Sequence, residues 1–478
     1  MRSILLIIGF LLIVLSVFMS LPGFLAVYMD DPGADAFLLS AAVTALAGYL
    51  LWHFNRNITV RIHSREAFML TTLTWLTVSL FSALPLLSVA HVTYTDALFE
   101  TISGITTTGS TVLVGLESEP LSVLLWRSLL QWIGGLGFVV MGVALLPFVG
   151  VGGMRLFHSE SSDWSEKAMP RTRNLAGALS LIYVGLTSAC MLSYLLAGMD
   201  LFDAINHAMT TVSTGGYSTY DDSIGHYESQ SILIIASCFM LLGSLPFAVY
   251  IQVARGHFRR FFEDQQIRGF LRLLVGVSLI LSLWLVVQTE EGFWDALVMA
   301  TFNVVSVVTT TGYVSTDYML WGNFAFMVFF YLMFVGGCSG STTGAMKVFR
   351  FQLAYEIFKA NMRHLLHPHG VFSLKYNDTS ISADIIRSLV GFSLAFFSVI
   401  GISAVVLSLI GLDPITSLTG SITAVSNVGP GLGSIIGPAG NFSSLPDSAK
   451  WVLSLDMLLG RLEIMTVVTV MSLSFWRN

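Results

Sequence analysis

Four short stretches rich in Thr, Ser, Gly and Asn carry the groups in this chain best suited to chemistry. Glu100 to Gly109 reads ETISGITTTG, Asn206 to Gly215 reads NHAMTTVSTG, Asn303 to Gly312 reads NVVSVVTTTG and Gly420 to Gly429 reads GSITAVSNVG. They align without gaps, and only the final Gly is common to all. A Gly lets the backbone take left-handed angles. Placed after residues such as Thr106, Thr107 and Thr108, it lets successive carbonyl oxygens point at one axis. Rings of such carbonyls replace the hydration shell of an alkali cation. The expected chemistry is therefore binding and release of a monovalent cation by backbone oxygens. The candidate residues are Thr107, Thr108 and Gly109; Ser213, Thr214 and Gly215; Thr310, Thr311 and Gly312; and Asn427, Val428 and Gly429. One such stretch alone reads as small-residue packing between membrane helices, whereas four copies in one repeated setting read as a pore.

The setting is supplied by what flanks them. Of 478 residues, 54% are hydrophobic and 11% charged, and mean hydropathy is +0.77, a balance outside that of soluble globular domains. The apolar residues form runs long enough for an α-helix to cross about 30 Å of hydrocarbon and lack the alternation of barrel strands. The predicted fold class is an all-α integral membrane protein. From Glu66 onward, one pattern recurs four times: a long apolar segment, an acid, a short apolar segment, the Thr/Gly/Ser break, another long apolar segment. The short segments cannot span and read as re-entrant pore helices. Asp96, Asp203, Asp295 and Asp413 stand at their starts, where Asp can cap a helix and concentrate cations in an outer vestibule. This gives four helix–pore-loop–helix repeats around a pseudo-fourfold pore, over 66–154, 155–258, 259–375 and 376–478, after an N-terminal hairpin and loop over 1–65. Basic residues gather in alternate connections, so both termini are expected in the cytoplasm. Arg127, Lys450 and Arg461 are the basic residues that this sorting does not place inside. Cys190, Cys238 and Cys338 lack the spacing of a metal site or disulfide framework, and no covalent cofactor is indicated.

The chain resembles the TrkH/TrkG/KtrB superfamily of potassium transporters over nearly its whole length. Besides the four breaks, the resemblance is carried by Gln131-Trp132-Ile133-Gly134-Gly135-Leu136-Gly137, by GGCSGSTTGAMK from Gly336 to Lys347, and by Gly460-Arg461-Leu462-Glu463-Ile464. It implies potassium uptake through one pore per subunit, K+ held by the filter backbone carbonyls, in a homodimer of the bacterial inner membrane. It also implies a cytosolic, TrkA-like regulatory ring that binds the nucleotide. The extra hairpin favours the Trk branch. A Ser at the first filter Gly accompanies sodium transport in plant relatives, so Gly109 favours potassium. The fourth strand, with Asn427, departs from the Thr-rich pattern.

Control is expected where the repeats differ. Gly336, Gly337, Ser339, Gly340, Ser341, Thr342, Thr343 and Gly344 interrupt a spanning helix, each Gly costing about 1 kcal/mol against Ala. By the resemblance this loop obstructs the pore below the filter and moves on opening; a close helix crossing is the alternative. Arg461 lies midway along an apolar helix, at a cost of roughly 2.5–3.5 kcal/mol on insertion scales. It reads either as a gate charge or as a packing tie, with the loop, pore water or another helix, rather than Glu463, as its partner. Arg127 is expected to snorkel toward the outer surface, and His207 to hydrogen-bond within its pore helix. Lys347 and Arg350, just inside the loop, read as part of the ion path or, more simply, of its cytoplasmic mouth. Arg255 to Arg272 and Lys359 to Lys375 read as a docking surface for the ring, or as contacts with anionic membrane lipids. Nothing points to nucleic acid. Two other function classes remain: a Na+- or H+-coupled symporter using Asp456 or Glu463, and a rhomboid-like protease built on Gly337-Cys338-Ser339-Gly340. The latter lacks a His on a later helix to serve as base.

Overall fold

A computed structural model describes residues 1–58, 64–90, 92–144, 168–289, 292–370, 374–377, 379–462, 464–472 and 475. The first two helices, Arg2–Met29 and Ala34–Asn55, form a hairpin that closes through small residues. A Cβ on Gly9 would lie 2.8 Å from the Gly48 carbonyl, so only Gly allows the two backbones this approach. The hairpin packs on repeat 1 and on the last helices of repeat 4 in one apolar core, while repeats 2 and 3 share another.

Each repeat has a leading helix, a pore helix and a following helix. The leading helices are Ser64–Ser82 with its continuation Leu84–Val89, then Ala168–Leu196, Gln265–Gln288 and Ala383–Ile410. The pore helices are Tyr94–Ile105, Leu201–Val212, Phe293–Val308 and Pro414–Ser426, with 12, 12, 16 and 13 residues. At 1.5 Å per residue none crosses about 30 Å of hydrocarbon, so each descends part-way and turns back. The expected Asp caps are realised only at Asp413, whose Oδ2 accepts from the Ile415 and Thr416 amides. In repeat 1 the cap is Thr93, which accepts from the Asp96 amide. Asp96, Asp203 and Asp295 stand inside the first turn instead, where a carboxylate still suits the positive end of the helix dipole.

The following helices differ most. The first, Leu121–Ala144, is continuous. The second bends by 92° between Gln230–Ser244 and Phe247–Ala254, where Pro246 cannot continue a helical hydrogen-bond ladder. The third stops at Leu332 and resumes at Val348, and the intervening loop is closed at its base by a short parallel pairing of Val335–Gly336 with Met346–Lys347. The fourth is split between Asp447–Arg461 and Ile464–Met471. The sequence foresees the third interruption but not the second or fourth. The boundary at 65/66 falls inside a helix and that at 375/376 inside a short strand; that at 154/155 lies outside the described residues.

One contact sets how closely a following helix approaches its pore helix. A Cβ on Gly134 would lie 1.9 Å from the Ile105 carbonyl, one on Gly243 2.8 Å from that of Val212, and one on Gly460 2.0 Å from that of Val425. Ile105, Val212 and Val425 all lie at the C-terminal ends of pore helices. The glycines thus seat the following helix directly on the carbonyls that end the pore helix. Gly134→Ala must therefore displace backbone, with an expected cost of about 1–3 kcal/mol and a lower thermal midpoint for the purified protein. Gly137→Ala, where a Cβ meets nothing within 4 Å, should leave the midpoint unchanged or raise it.

Candidate functional site

The four breaks leave helical geometry in the same way. Thr107, Thr214, Thr310 and Asn427 take left-handed φ values of 53°, 52°, 53° and 54°, and two residues on Gly109, Gly216, Gly312 and Gly429 take 86°, 78°, 80° and 110°. Between them, Thr108, Gly215, Thr311 and Val428 donate their amides to Ser103, Thr210, Ser306 and Thr423 at 2.9–3.0 Å. Alternating left-handed residues turn successive carbonyls to the same side of the strand, as a coordinating ring requires.

This geometry corrects the alignment of the second repeat. Gly215 is the counterpart of Thr108, not of Gly109, and the glycine that matches Gly109 is Gly216. The second stretch is His207 to Gly216, so Thr214 corresponds to Thr107 and Ser213 to Thr106. The missing side chain at Gly215 leaves room for Gln131, which donates to the Gly215 carbonyl at 2.6 Å and accepts from the Tyr217 amide at 3.0 Å. A Cβ on Gly215 would lie 2.4 Å from that side chain. The sequence carries a partial signal: the Asp96-to-Gly109 spacing equals that from Asp203 to Gly216, though repeats 3 and 4 are longer, and Tyr follows Gly216 as it follows Gly312.

In the corrected register the strands close a ring in chain order. A Cβ on Gly109 would lie 2.2 Å from the Gly215 carbonyl oxygen, and one on Gly216 1.8 Å from that of Thr311. A Cβ on Gly312 would lie 2.2 Å from the Val428 oxygen, and one on Gly429 3.0 Å from that of Thr108. Every glycine faces the carbonyl one residue before the glycine of the next repeat. In repeats 2 and 3 the next residue is Tyr, which reaches behind the preceding pore helix. Tyr217 donates to the Glu100 carbonyl at 2.7 Å, and Tyr313 to that of His207 at 3.2 Å. In the fourth strand Asn427 uses its amide to join Thr108 Oγ1 at 2.8 Å and the Met457 carbonyl at 3.0 Å; Asn tolerates the left-handed region better than most residues.

The outer ends of the strands are tied back to the pore helices. His207 holds the Asp203 carbonyl at 2.9 Å and Ser218 Oγ at 3.0 Å, which places it as a support of its own helix. Arg127 does not snorkel. It is buried, at 1% relative exposure, with Nε on Glu100 Oε1 at 2.8 Å and Nη1 on the Ser218 carbonyl at 2.9 Å. The four Asp residues are not equivalent as vestibule charges, since among the described residues only Asp96 meets a cation. Asp96 pairs with Lys450 at 2.6 Å, Asp203 is buried and bonded to Thr219 and Tyr220, and Asp295 accepts from Gln230. All are used as helix anchors.

Directly below the left-handed residues lies the interrupted third helix. Thr342 Oγ1 meets Thr214 Oγ1 at 3.0 Å, the Gly344 amide donates to Thr310 Oγ1 at 2.8 Å, and the Ala345 amide donates to the Ser426 carbonyl at 2.8 Å. Gly344 has no space for a side chain, since a Cβ would lie 2.4 Å from the Ser426 oxygen. Among the other loop residues, Ser341 Oγ bonds the Cys338 carbonyl and the Thr343 hydroxyl, while Ser339 offers its amide to Gln266. Gly336 and Gly337 pass close to Gly344 and Ser244, and Gly340 makes a left-handed turn. Arg461, buried at 1% exposure, donates to the Thr342 carbonyl at 2.7 Å and lies over the Phe138 ring at 4.1 Å. Its partner is the loop, as expected; Glu463 lies outside the described residues. Lys347 is buried rather than at an open mouth, and bonds the Thr343 carbonyl and hydroxyl. Arg350 is likewise buried, over the Phe392 ring at 3.7 Å.

Comparison with known proteins places this arrangement among cation transporters. The TrkH family model, described as a cation transport protein, matches residues 33–476. The Trk system potassium uptake protein TrkI of Halomonas elongata is 50% identical over 98% of this chain and 95% of its own. The Trk system potassium uptake protein TrkH of Escherichia coli is 36% identical over 100% of this chain and 99% of its own. The crystal structure of the potassium transporter TrkH from Vibrio parahaemolyticus superposes with a TM-score of 0.92 at 34% identity, covering 100% of this chain and 99% of that one.

The corrected register makes a direct prediction. Gly216→Ala places a Cβ against the backbone oxygen of Thr311 at a left-handed residue and should abolish potassium uptake. Gly215→Ala meets the Gln131 side chain rather than backbone and should retain more uptake than Gly216→Ala at equal membrane abundance.

Proposed function

Since the chain belongs to the TrkH family of cation transport proteins, we propose that it is the pore-forming, gated subunit of a Trk-type potassium uptake system. It is a multi-pass membrane protein and a transporter, not an enzyme. The observation that carries the potassium reading is the closed ring of four strands, with a left-handed residue and a left-handed glycine in each. A potassium ion sheds water as the strand carbonyls take its place, and the C-terminal ends of four pore helices add their negative dipole ends. Selectivity resides in Thr107, Thr108 and Gly109, Thr214, Gly215 and Gly216, Thr310, Thr311 and Gly312, and Asn427, Val428 and Gly429, with Ser213 ending the second pore helix.

The Gly336–Gly344 loop and Arg461 form the gate of this pathway. The loop touches the inner end of the filter in repeats 2, 3 and 4, and Arg461 adds a positive charge below it that repels a cation unless it swings aside. Opening breaks the Arg461–Thr342 bond and frees the loop. The coupled-symporter reading finds less support: Asp456 is buried and accepts from Ser403 on the fourth leading helix. The basic connections put both termini in the cytoplasm of a bacterial inner membrane. There the surfaces over Arg255–Arg272 and Lys359–Lys375 receive a nucleotide-binding ring, with two copies of this chain in the assembly.

Growth of an uptake-deficient host on limiting potassium tests the filter. The chain should restore growth, and Gly109→Ser should lose that rescue while retaining sodium flux; unchanged behaviour toward both ions would refute the assignment. For the gate, Arg461→Gln removes a charge-assisted hydrogen bond worth about 1.5–3 kcal/mol. Unstimulated potassium flux through reconstituted protein should rise by about tenfold.

A further inference from the structure

The buried ion pair between Glu100 and Arg127 lies behind the filter and has no counterpart in the other repeats among the described residues. Glu100 is on the first pore helix and Arg127 on the first following helix, at 1% exposure each. Two buried charges at membrane depth are costly unless their geometry is good and their remaining hydrogen-bonding capacity is used, and here much of it is. Glu100 accepts from Arg127 Nε at 2.8 Å, from the Thr111 hydroxyl at 3.0 and 3.1 Å, and from the Val112 amide at 2.9 Å. Arg127 also donates to the Ser218 carbonyl at 2.9 Å and to Thr111 Oγ1 at 3.2 Å, and its guanidinium lies 4.1 Å from the centre of the Tyr217 ring. Thr111 and Val112 leave the first filter strand, and Tyr217 and Ser218 leave the second. The pair therefore grips the outer ends of two neighbouring strands at once.

The other repeats show what this position does when it is neutral or empty. His207 and Asn303 occupy the Glu100 position and tie to Ser218 and Ser315, each within its own repeat. In the fourth repeat the position is Gly420, which has no side chain to offer. We propose that the Glu100–Arg127 pair is a positioning element for ion selectivity: it fixes the separation of the first and second filter strands and thereby the size of the carbonyl ring they share. This proposal rests on the filter reading above. Neither residue touches the ion; both act through the strands they hold.

The test measures potassium and sodium uptake, at matched membrane abundance of the full chain, for Glu100→Gln, Arg127→Gln, the double variant and Thr111→Val. Glu100→Gln should lower the potassium-to-sodium uptake ratio by about tenfold, the factor equivalent to one lost charge-assisted hydrogen bond. Because the two residues act as one unit, the double variant should be no worse than the more damaging single one. Thr111→Val leaves the charges in place and removes only the bridging hydroxyl, so it reports even if the charge variants fail to reach the membrane; its ratio should fall by a smaller factor, about threefold. Uptake of both ions reduced by one common factor, with the ratio intact, would overturn the proposal and leave the pair a packing device. Single effects that multiply in the double variant would overturn it too. Gly109→Ser, run in parallel, separates the two readings: a changed ratio there with none at Glu100 rejects the clamp and keeps the filter, whereas no change in Gly109→Ser rejects the filter itself.

Discussion

No water reaches a peptide carbonyl in the hydrocarbon core of a bilayer, so a chain that leaves helical geometry there must find its polar groups other partners. Four of the places where this protein leaves it, one in each repeat, are arranged as a ring. The left-handed turns at Thr107, Thr214, Thr310 and Asn427 release carbonyls from the pore helices, and glycine two residues later lets the next strand come against its neighbour. The carbonyls of Gly215, Thr311, Val428 and Thr108 then lie against the glycines of the neighbouring strands, which closes the ring that we propose holds the cation. Almost everything else follows from holding that arrangement: the tyrosines behind the strands, Gln131 in the space left at Gly215, and Gly134, Gly243 and Gly460 seating following helices on pore-helix ends.

The same constraint explains the three basic residues that charge sidedness does not place in the cytoplasm. Arg127 is paired with Glu100, Lys450 with Asp96, and Arg461 with the Thr342 carbonyl. Each lies where two parts of the chain distant in sequence must be joined. Lys450 ties the fourth following helix to the start of the first pore helix, Arg127 joins the first two strands, and Arg461 reaches from the fourth repeat to the loop of the third. A cation that departs from the sorting rule has here been retained for its partner.

Much of the architecture was legible because it is repeated. Short apolar segments between an acid and a Thr/Gly break specify re-entrant helices by length alone, and the Gly-rich run from Gly336 cannot sustain a helix. What escaped the sequence were single-residue choices among equivalent options. Gly215 and Gly216 are adjacent, so a gapless alignment settles on the first, and the αL residue and the pore-helix hydrogen bond decide for the second. Arg127 near a helix end looks free to reach solvent until Glu100, twenty-seven residues earlier, is brought beside it. The acids opening the pore helices look like vestibule charges, because sequence gives no hint that Lys450, Tyr220 and Gln230 claim three of them.

The central claim is that one ion-binding ring is formed by the strands in the register 107–109, 214–216, 310–312 and 427–429. Anomalous diffraction from crystals grown with rubidium, an electron-dense stand-in for potassium, tests this most directly. Anomalous density is expected on the axis enclosed by the Thr108, Gly215, Thr311 and Val428 strands. Density confined to another site, or none within the ring while rubidium is transported, would contradict it.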